Sequence, residues 1–179
     1  LVVMPGGFGT LDELFEALTL IQTGRTPPIP LVLLAPEGDD FWKLWQRYVS
    51  QELAGRGLIS PEDVDLVTEA TCATSAVERI ARFYRVFHSA LLGGERIELL
   101  LNAPIPRERL PELSRSFADM VEEGAIQAGE NVDDRGILRP CLRFRFDRRR
   151  VGRLYQFIDH LNGMDLDDCD ALQHPAERL

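Results

Sequence analysis

Apolar positions in the first half of the chain alternate between short continuous runs and stretches with helical spacing. A continuous run is typical of a parallel strand buried on both faces, and apolar residues three and four apart mark one face of a helix. Glycines and prolines separate these stretches. The pattern predicts strands at 1–4, 29–35 and 64–68, helices at 11–23, 41–54 and 75–90, and a short capped turn at 60–63. This order predicts an α/β unit with a parallel sheet.

The pattern changes after Gly93-Gly94, which we take as a domain boundary. Beyond it, the spacing predicts strands at 96–102, 125–132 and 141–146, helices at 107–122 and 151–161, and an acidic tail at 165–179. The order β-α-β-β-α predicts a small α+β domain of the ferredoxin-like or ACT-like type, with its last strand absent or supplied by a partner. The sequence therefore predicts two domains, 1–92 and 93–179.

A glycine-rich loop joins the first strand to the first helix. It reads Pro5-Gly6-Gly7-Phe8-Gly9-Thr10. Glycines let the backbone turn sharply, and the free N–H groups at the start of a helix form an anion site that suits phosphate. Thr10 adds a hydroxyl at the mouth of this site. The loop is not a Walker A motif, because no Lys follows it, and it lacks the spacing of the dinucleotide motif.

Glu13 follows this loop, and two interpretations stay open from its position. Thr10 and Glu13 have the spacing of a capping box, in which the glutamate accepts a hydrogen bond from the Thr10 N–H. Alternatively, a carboxylate beside a phosphate site activates water or stabilises an oxocarbenium-like transition state at a ribosyl carbon. Asp12 is expected to face solvent and to favour the helix dipole.

The stretch Pro5–Glu13 resembles the PGGxGTxxE signature of the LOG (LONELY GUY) family, long described as "lysine decarboxylase-like". All fixed positions of the signature match. The likeness continues to about Ala90, and the residues that carry it are Gln22, Gly24, Pro30–Leu34, Phe41-Trp42 and Gly57–Ser60. The chain from Gly93 onward does not resemble the small members of the family. It suggests a longer bacterial variety with an added domain.

The resemblance implies a Rossmann-like domain that hydrolyses the N-glycosidic bond of a nucleoside 5′-monophosphate and releases the base and ribose 5-phosphate. It assigns phosphate contact to Gly6, Gly7, Gly9 and Thr10, and a catalytic carboxylate to Glu13. It also implies a homodimer and requires no metal or other cofactor. The family's second signature, an upstream Arg, would fall before Leu1. Since Leu1 opens inside a strand without an initiator Met, we expect the chain to be the later part of a longer polypeptide.

Composition and charge exclude several other classes. The formal net charge of −9 argues against an electrostatic nucleic-acid binder. The longest apolar run is too short to span a bilayer, and no signal peptide opens the chain, so the expected location is cytoplasmic. Neither the histidines nor the cysteines have the spacing of metal ligands; they are His88, His160, His174, Cys72, Cys141 and Cys169.

The sole lysine bears on the decarboxylase description. A pyridoxal phosphate enzyme needs a lysine to hold its cofactor, and Lys43 lies in an amphipathic helix away from the glycine-rich loop. We therefore interpret Lys43 as a solvated surface residue. The main alternative to the hydrolase is a protein that binds a nucleotide or a molybdenum cofactor without cleaving it, in which case Glu13 only caps the helix.

A run of arginines makes one stretch of the second predicted domain locally basic in an otherwise acidic chain. We interpret them as an exposed strand face and a helix start, with an anionic effector site as the less favoured alternative. The residues are Arg143, Arg145, Arg148, Arg149, Arg150 and Arg153.

Overall fold

A computed structural model describes residues 1–94 and 96–166. Its contacts divide the chain into two units. Unit 1 comprises Leu1–Arg82 and Arg148–Gln156, and unit 2 comprises Phe83–Asp147 and the chain from Phe157 onward. This division falls before the predicted boundary at 92/93. Most of the predicted acidic tail, with Cys169 and His174, lies outside the described residues.

Unit 1 contains a three-stranded parallel sheet in the order β1-β2-β3, which confirms the predicted parallel α/β arrangement. The elements of this unit are β1 (Val2–Val3), α1 (Phe8–Gln22), β2 (Leu31–Leu34), α2 (Phe41–Tyr48), β3 (Val67–Ala70) and α3 (Ala73–Phe83, whose last residue belongs to unit 2). A π-helical segment, Val49–Ala54, continues α2, and a 3₁₀ helix, Pro61–Leu66, precedes β3. A capping box formed by Ser60 and Asp63 opens the 3₁₀ helix.

Apolar side chains from the sheet and from α1 form the core of unit 1. Val32 and Leu33 of the central strand are fully buried, and α1 turns Leu14 and Ile21 inward with helical spacing. Trp42 is also buried, and its indole N–H donates to the Leu34 carbonyl at 3.2 Å.

The first residues of the last helix, α5 (Val151–Asn162), also belong to unit 1. Gly152 lies so close to the 3₁₀ helix that an added Cβ would be 2.8 Å from the Asp63 nitrogen and closer still to the Glu62 carbonyl. The Tyr155 hydroxyl donates to the Ile29 carbonyl at 2.9 Å and accepts the Ile29 N–H at 3.1 Å. Because Gly152 has no Cβ, the start of α5 can pass this close to the backbone of the 3₁₀ helix.

Unit 2 contains a four-stranded antiparallel sheet in the order β4-β5-β7-β6. Its elements are β4 (Phe87–Gly93), β5 (Arg96–Leu101), α4 (Leu110–Ser116), β6 (Gln127–Val132) and β7 (Leu138–Arg145), with the later part of α5. Short 3₁₀ turns flank α4 at Arg107–Arg109 and Ala118–Met120. The predicted β-α-β-β-α order is thus present, preceded by one further strand.

The predicted helix at 75–90 is wrong in its last part. Helix α3 ends at Phe83, and β4 pairs with β5 along most of its length. Val86 and Phe87 are fully buried, and both of their N–H groups donate to the Asn162 side-chain oxygen, at 2.8 and 3.0 Å. These long-range partners override the local helical spacing. Strand β4 therefore forms one edge of the antiparallel sheet, beside β5.

Two buried polar side chains organise unit 2. Asn162 accepts the two amides described above and donates to the Phe83 carbonyl. Asp133 in the β6–β7 turn pairs with Arg139 at 2.7 Å and accepts the N–H groups of Arg135 and Ile137, each at 2.9 Å. In the described ranges, no helix has the length and apolar character needed to cross a bilayer.

Candidate functional site

The turn after β1 presents unbonded backbone amides. Gly7 has an extended conformation, with φ −84° and ψ −156°, and α1 begins directly after it. The first hydrogen bond of the helix runs from the Leu11 N–H to the Gly7 carbonyl at 3.1 Å. The N–H groups of residues 8–10 therefore precede the hydrogen-bonded ladder. Together with the positive end of the helix dipole, they can bind an anion such as phosphate.

The three glycines of this turn have different surroundings. A Cβ added at Gly6 would lie 2.8 Å from Thr10 Cβ and would collide with the Thr10 hydroxyl. No atom lies within 4 Å of a Cβ added at Gly7 or Gly9. Gly6 therefore supports Thr10 by close packing, whereas Gly7 and Gly9 leave the outer side of the turn bare, where a ligand can approach the amides.

Thr10 and Glu13 line the same groove. This groove has a volume of roughly 600 Å³ and runs between β1 and one face of α1. The Glu13 side chain is exposed, and in the described part of the chain its carboxylate has no hydrogen bond or ion pair. Of the site residues predicted from the sequence, Thr10 and Glu13 line this groove, whereas Gly6, Gly7 and Gly9 are not among its lining residues.

The capping-box interpretation of Glu13 is wrong. Helix α1 begins at Phe8 rather than after Thr10, and no side-chain hydrogen bond caps it. Thr10 already lies in the first helical turn, because the extended Gly7 starts the helix early. Glu13 is therefore not occupied with the helix end. Asp12 is exposed, as expected, and does not line the groove.

The candidate site predicted from the sequence did not include the apolar wall of the groove. Val3 and Met4 supply this wall from the strand side, and Ala17 and Leu20 supply it from the helix. The helix members could have been found from the sequence, since positions 10, 13, 17 and 20 recur at the spacing of one helical face. The strand members required knowledge of how β1 faces α1.

Lys43 lies outside this site. It is exposed on α2, and its Nζ is 3.1 Å from the Asp40 carboxylate. The hydrogen bond to Asp40 and the attraction of its charge raise the pKa of Lys43 above its usual value. A raised pKa favours the protonated ammonium, which cannot act as the nucleophilic amine of a Schiff-base lysine.

The arginine-rich stretch is engaged in ion pairs with the protein itself. Arg143 pairs with Glu98 at 3.1 Å and Arg145 with Glu123 at 2.6 Å, both within unit 2. These contacts favour the interpretation as a charged strand face over an anionic effector site. In the same way, Arg150 pairs with Glu62 at 3.2 Å within unit 1.

Comparison with known families identifies the N-terminal part of the chain. A family model described as "Possible lysine decarboxylase" matches residues 1–80. No curated protein matches the chain. The matched range contains the glycine-rich turn, Thr10 and Glu13, which carry the PGGxGTxxE signature, so the family inferred from the motif is confirmed. Residues 1–80, which make up less than half of the chain, are thus similar to the LOG family, whose model bears this lysine decarboxylase description.

Proposed function

We propose that residues 1–80, the part of the chain that matches the family model, bind a nucleoside 5′-monophosphate and hydrolyse its N-glycosidic bond. The phosphate would accept hydrogen bonds from the amides of residues 8–10 and from the Thr10 hydroxyl. The observation that carries this proposal is that Thr10 and an unpaired Glu13 line one groove. No nucleic acid and no metal or organic cofactor takes part in the reaction as proposed.

The spacing on α1 suits a sugar phosphate. Side chains three residues apart on a helix have Cβ atoms roughly 5–6 Å apart, so phosphate held near Thr10 leaves the ribosyl carbon near Glu13. As the bond from C1′ to the base nitrogen breaks, positive charge develops on the sugar, and the carboxylate stabilises it. Glu13 also accepts a proton from the attacking water, whose oxygen forms the new bond to C1′. The base leaves with the bonding electron pair and takes up a proton.

A lysine decarboxylase function is not proposed. That chemistry needs a neutral lysine amine for pyridoxal phosphate, and the single lysine of the chain is exposed and held as an ammonium by Asp40. By contrast, hydrolysis at a ribosyl carbon needs a carboxylate and an anion site, both of which α1 supplies.

The test is to incubate the full-length protein with a panel of nucleoside 5′-monophosphates and to separate the products by chromatography. Release of free base together with ribose 5-phosphate is the expected result. Glu13→Gln should abolish turnover and retain nucleotide binding, because the amide keeps the size of the side chain but cannot accept the proton. Asp12→Asn is the matched control, since Asp12 is an exposed carboxylate that lies outside the groove.

Other outcomes would contradict the proposal in different ways. Intact nucleotides that nevertheless bind would indicate the alternative, a nucleotide or molybdenum-cofactor carrier. Hydrolysis that persists unchanged in Glu13→Gln would remove the assigned role of this residue. We also propose a homodimer, from the family resemblance, and a cytoplasmic location, from the sequence. Light scattering of the purified full-length protein and fractionation of cells test these two points.

A further inference from the structure

Unit 2 contains a cavity that the proposed hydrolysis does not use. It has a volume of roughly 740 Å³ and lies beside the segment that follows β5 and beside neighbouring residues of β6 and β7. Cavities of this size are within the range of small-molecule sites, which is about 300–1,000 Å³. All of its lining residues belong to unit 2.

The floor and the rim of this cavity differ in chemistry. Leu101, Ile105 and Leu142 are buried and give the floor an apolar surface. Two charged residues of opposite sign, Arg107 and Glu130, are exposed at the rim. Asp165 adds a second carboxylate. The cavity therefore combines an apolar surface with both signs of charge.

Within residues 1–94 and 96–166, the charged groups of Arg107, Glu130 and Asp165 have no ion pair or hydrogen bond. The backbone carbonyl of Glu130, by contrast, accepts a hydrogen bond from the Arg143 guanidinium at 2.6 Å. Some other charges of unit 2 are paired, as in Arg143 with Glu98 and Arg139 with Asp133. The rim charges thus remain available to a ligand.

We propose that this cavity binds a free α-amino acid with an apolar side chain. Its carboxylate would pair with the Arg107 guanidinium, its ammonium with Glu130 and Asp165, and its side chain would cover the apolar floor. A purely apolar ligand would desolvate the rim charges without pairing them. A simple anion would meet two carboxylates for one guanidinium, and a simple amine would leave Arg107 without a partner.

The experiment is calorimetric titration of the full chain with L-leucine and with two analogues that each lack one charge. 4-Methylpentanoate keeps the carboxylate and 3-methylbutylamine keeps the ammonium. We expect leucine to bind and each analogue to bind at least about tenfold more weakly, since each loses one charge-assisted contact. Binding of an analogue as tightly as leucine would overturn the assignment to an amino acid.

Variants locate the binding. Arg107→Gln and Glu130→Gln should each weaken leucine binding at least about tenfold. Ala128→Trp should abolish it, because this residue lines the cavity from β6 and the indole would fill the space. Arg109→Gln is the control: Arg109 is exposed in the same 3₁₀ turn as Arg107 but does not line the cavity.

Circular dichroism verifies that each variant is folded before titration. Folded wild-type protein that does not bind leucine would overturn the proposal, and so would undiminished binding in folded Arg107→Gln or Glu130→Gln. The readout is binding in unit 2 rather than base release. Failure of the amino-acid proposal can therefore be distinguished from failure of the proposed hydrolase function.

Discussion

Gly6 and Gly9, two glycines of the turn that follows β1, should respond in opposite directions to replacement by alanine. Gly6→Ala places a methyl group 2.8 Å from Thr10 Cβ and against its hydroxyl, so Thr10 or the turn must move. Overpacking of this kind costs about 1–3 kcal/mol in the free energy of unfolding. Gly9→Ala places a methyl group in open space within α1. Alanine is the better helix former by up to about 1 kcal/mol in a helix interior, so the stability should rise slightly.

Both substitutions should nevertheless weaken phosphate binding. Gly6→Ala displaces the Thr10 hydroxyl that we assign to the phosphate. Gly9→Ala leaves Thr10 in place, but Cβ atoms of a helix point toward its N-terminus, so the new methyl group projects toward the free amides. Gly6→Ala should therefore lower both stability and phosphate affinity, whereas Gly9→Ala should lower phosphate affinity without lowering stability.

Urea unfolding gives the stability of each variant, and titration with a nucleoside 5′-monophosphate gives its affinity. The expected pattern is a lower unfolding midpoint for Gly6→Ala alone and weaker nucleotide binding for both, with the slope of the unfolding transition unchanged. The reasoning is refuted if Gly9→Ala destabilises the protein as much as Gly6→Ala does, or if Gly6→Ala leaves stability unchanged.

Three further substitutions test the packing and charge of the fold by chemical unfolding. Gly152→Ala should lower the free energy of unfolding by about 1–3 kcal/mol, because its methyl group would collide with the backbone of the neighbouring 3₁₀ helix. An unchanged unfolding midpoint would contradict this. Asn162→Ala should cost about 2–5 kcal/mol, because it leaves two buried amides without an acceptor; a loss well below 1 kcal/mol would mean that water replaces the side chain. Arg139 and two backbone amides lower the pKa of Asp133 from 3.8 to about 2, so this carboxylate stabilises the fold above pH 3.8 and loses that effect as the pH falls through 2. The stability difference between wild type and Asp133→Asn should therefore shrink over that pH range, and a constant difference would contradict the assignment.

The sequence predicted the elements that depend on local pattern. The first two parallel strands, the helix after the glycine-rich turn and the capped turn at Ser60 all follow from apolar spacing and turn residues close in sequence. The third strand, predicted at 64–68, instead spans Val67–Ala70, because residues 64–66 belong to the 3₁₀ helix that precedes it. The prediction failed where a distant partner decides the structure. Residues 87–90 continue a helical pattern, but pairing with β5 and the Asn162 side chain, far along the chain, make this segment a strand.

In the candidate site, too, local sequence patterns were informative and features that depend on the three-dimensional structure were not predicted. The glycine pattern indicated an anion site, and the motif indicated Glu13, but the spacing of Thr10 and Glu13 was equally consistent with a capping box. Only the start of α1 at Phe8 decides against that alternative, because it moves Thr10 inside the helix. The helix start depends on the conformation of Gly7, and glycine permits many conformations. The groove wall from β1 likewise could not be derived without the sheet.

The position of both functional groups on one helix has a consequence for the proposed chemistry. The amides of residues 8–10 lie at the end of α1, and Glu13 follows within one turn, so their separation is set by the rigid geometry of the helix rather than by a loop. A bound phosphate therefore places the rest of its ligand along the groove at a fixed distance from the carboxylate. This arrangement favours a ligand in which the bond to be broken lies one sugar ring away from the phosphate. Ribose 5-phosphate linked to a base has that form, and a free amino acid such as lysine, which has no phosphate, does not.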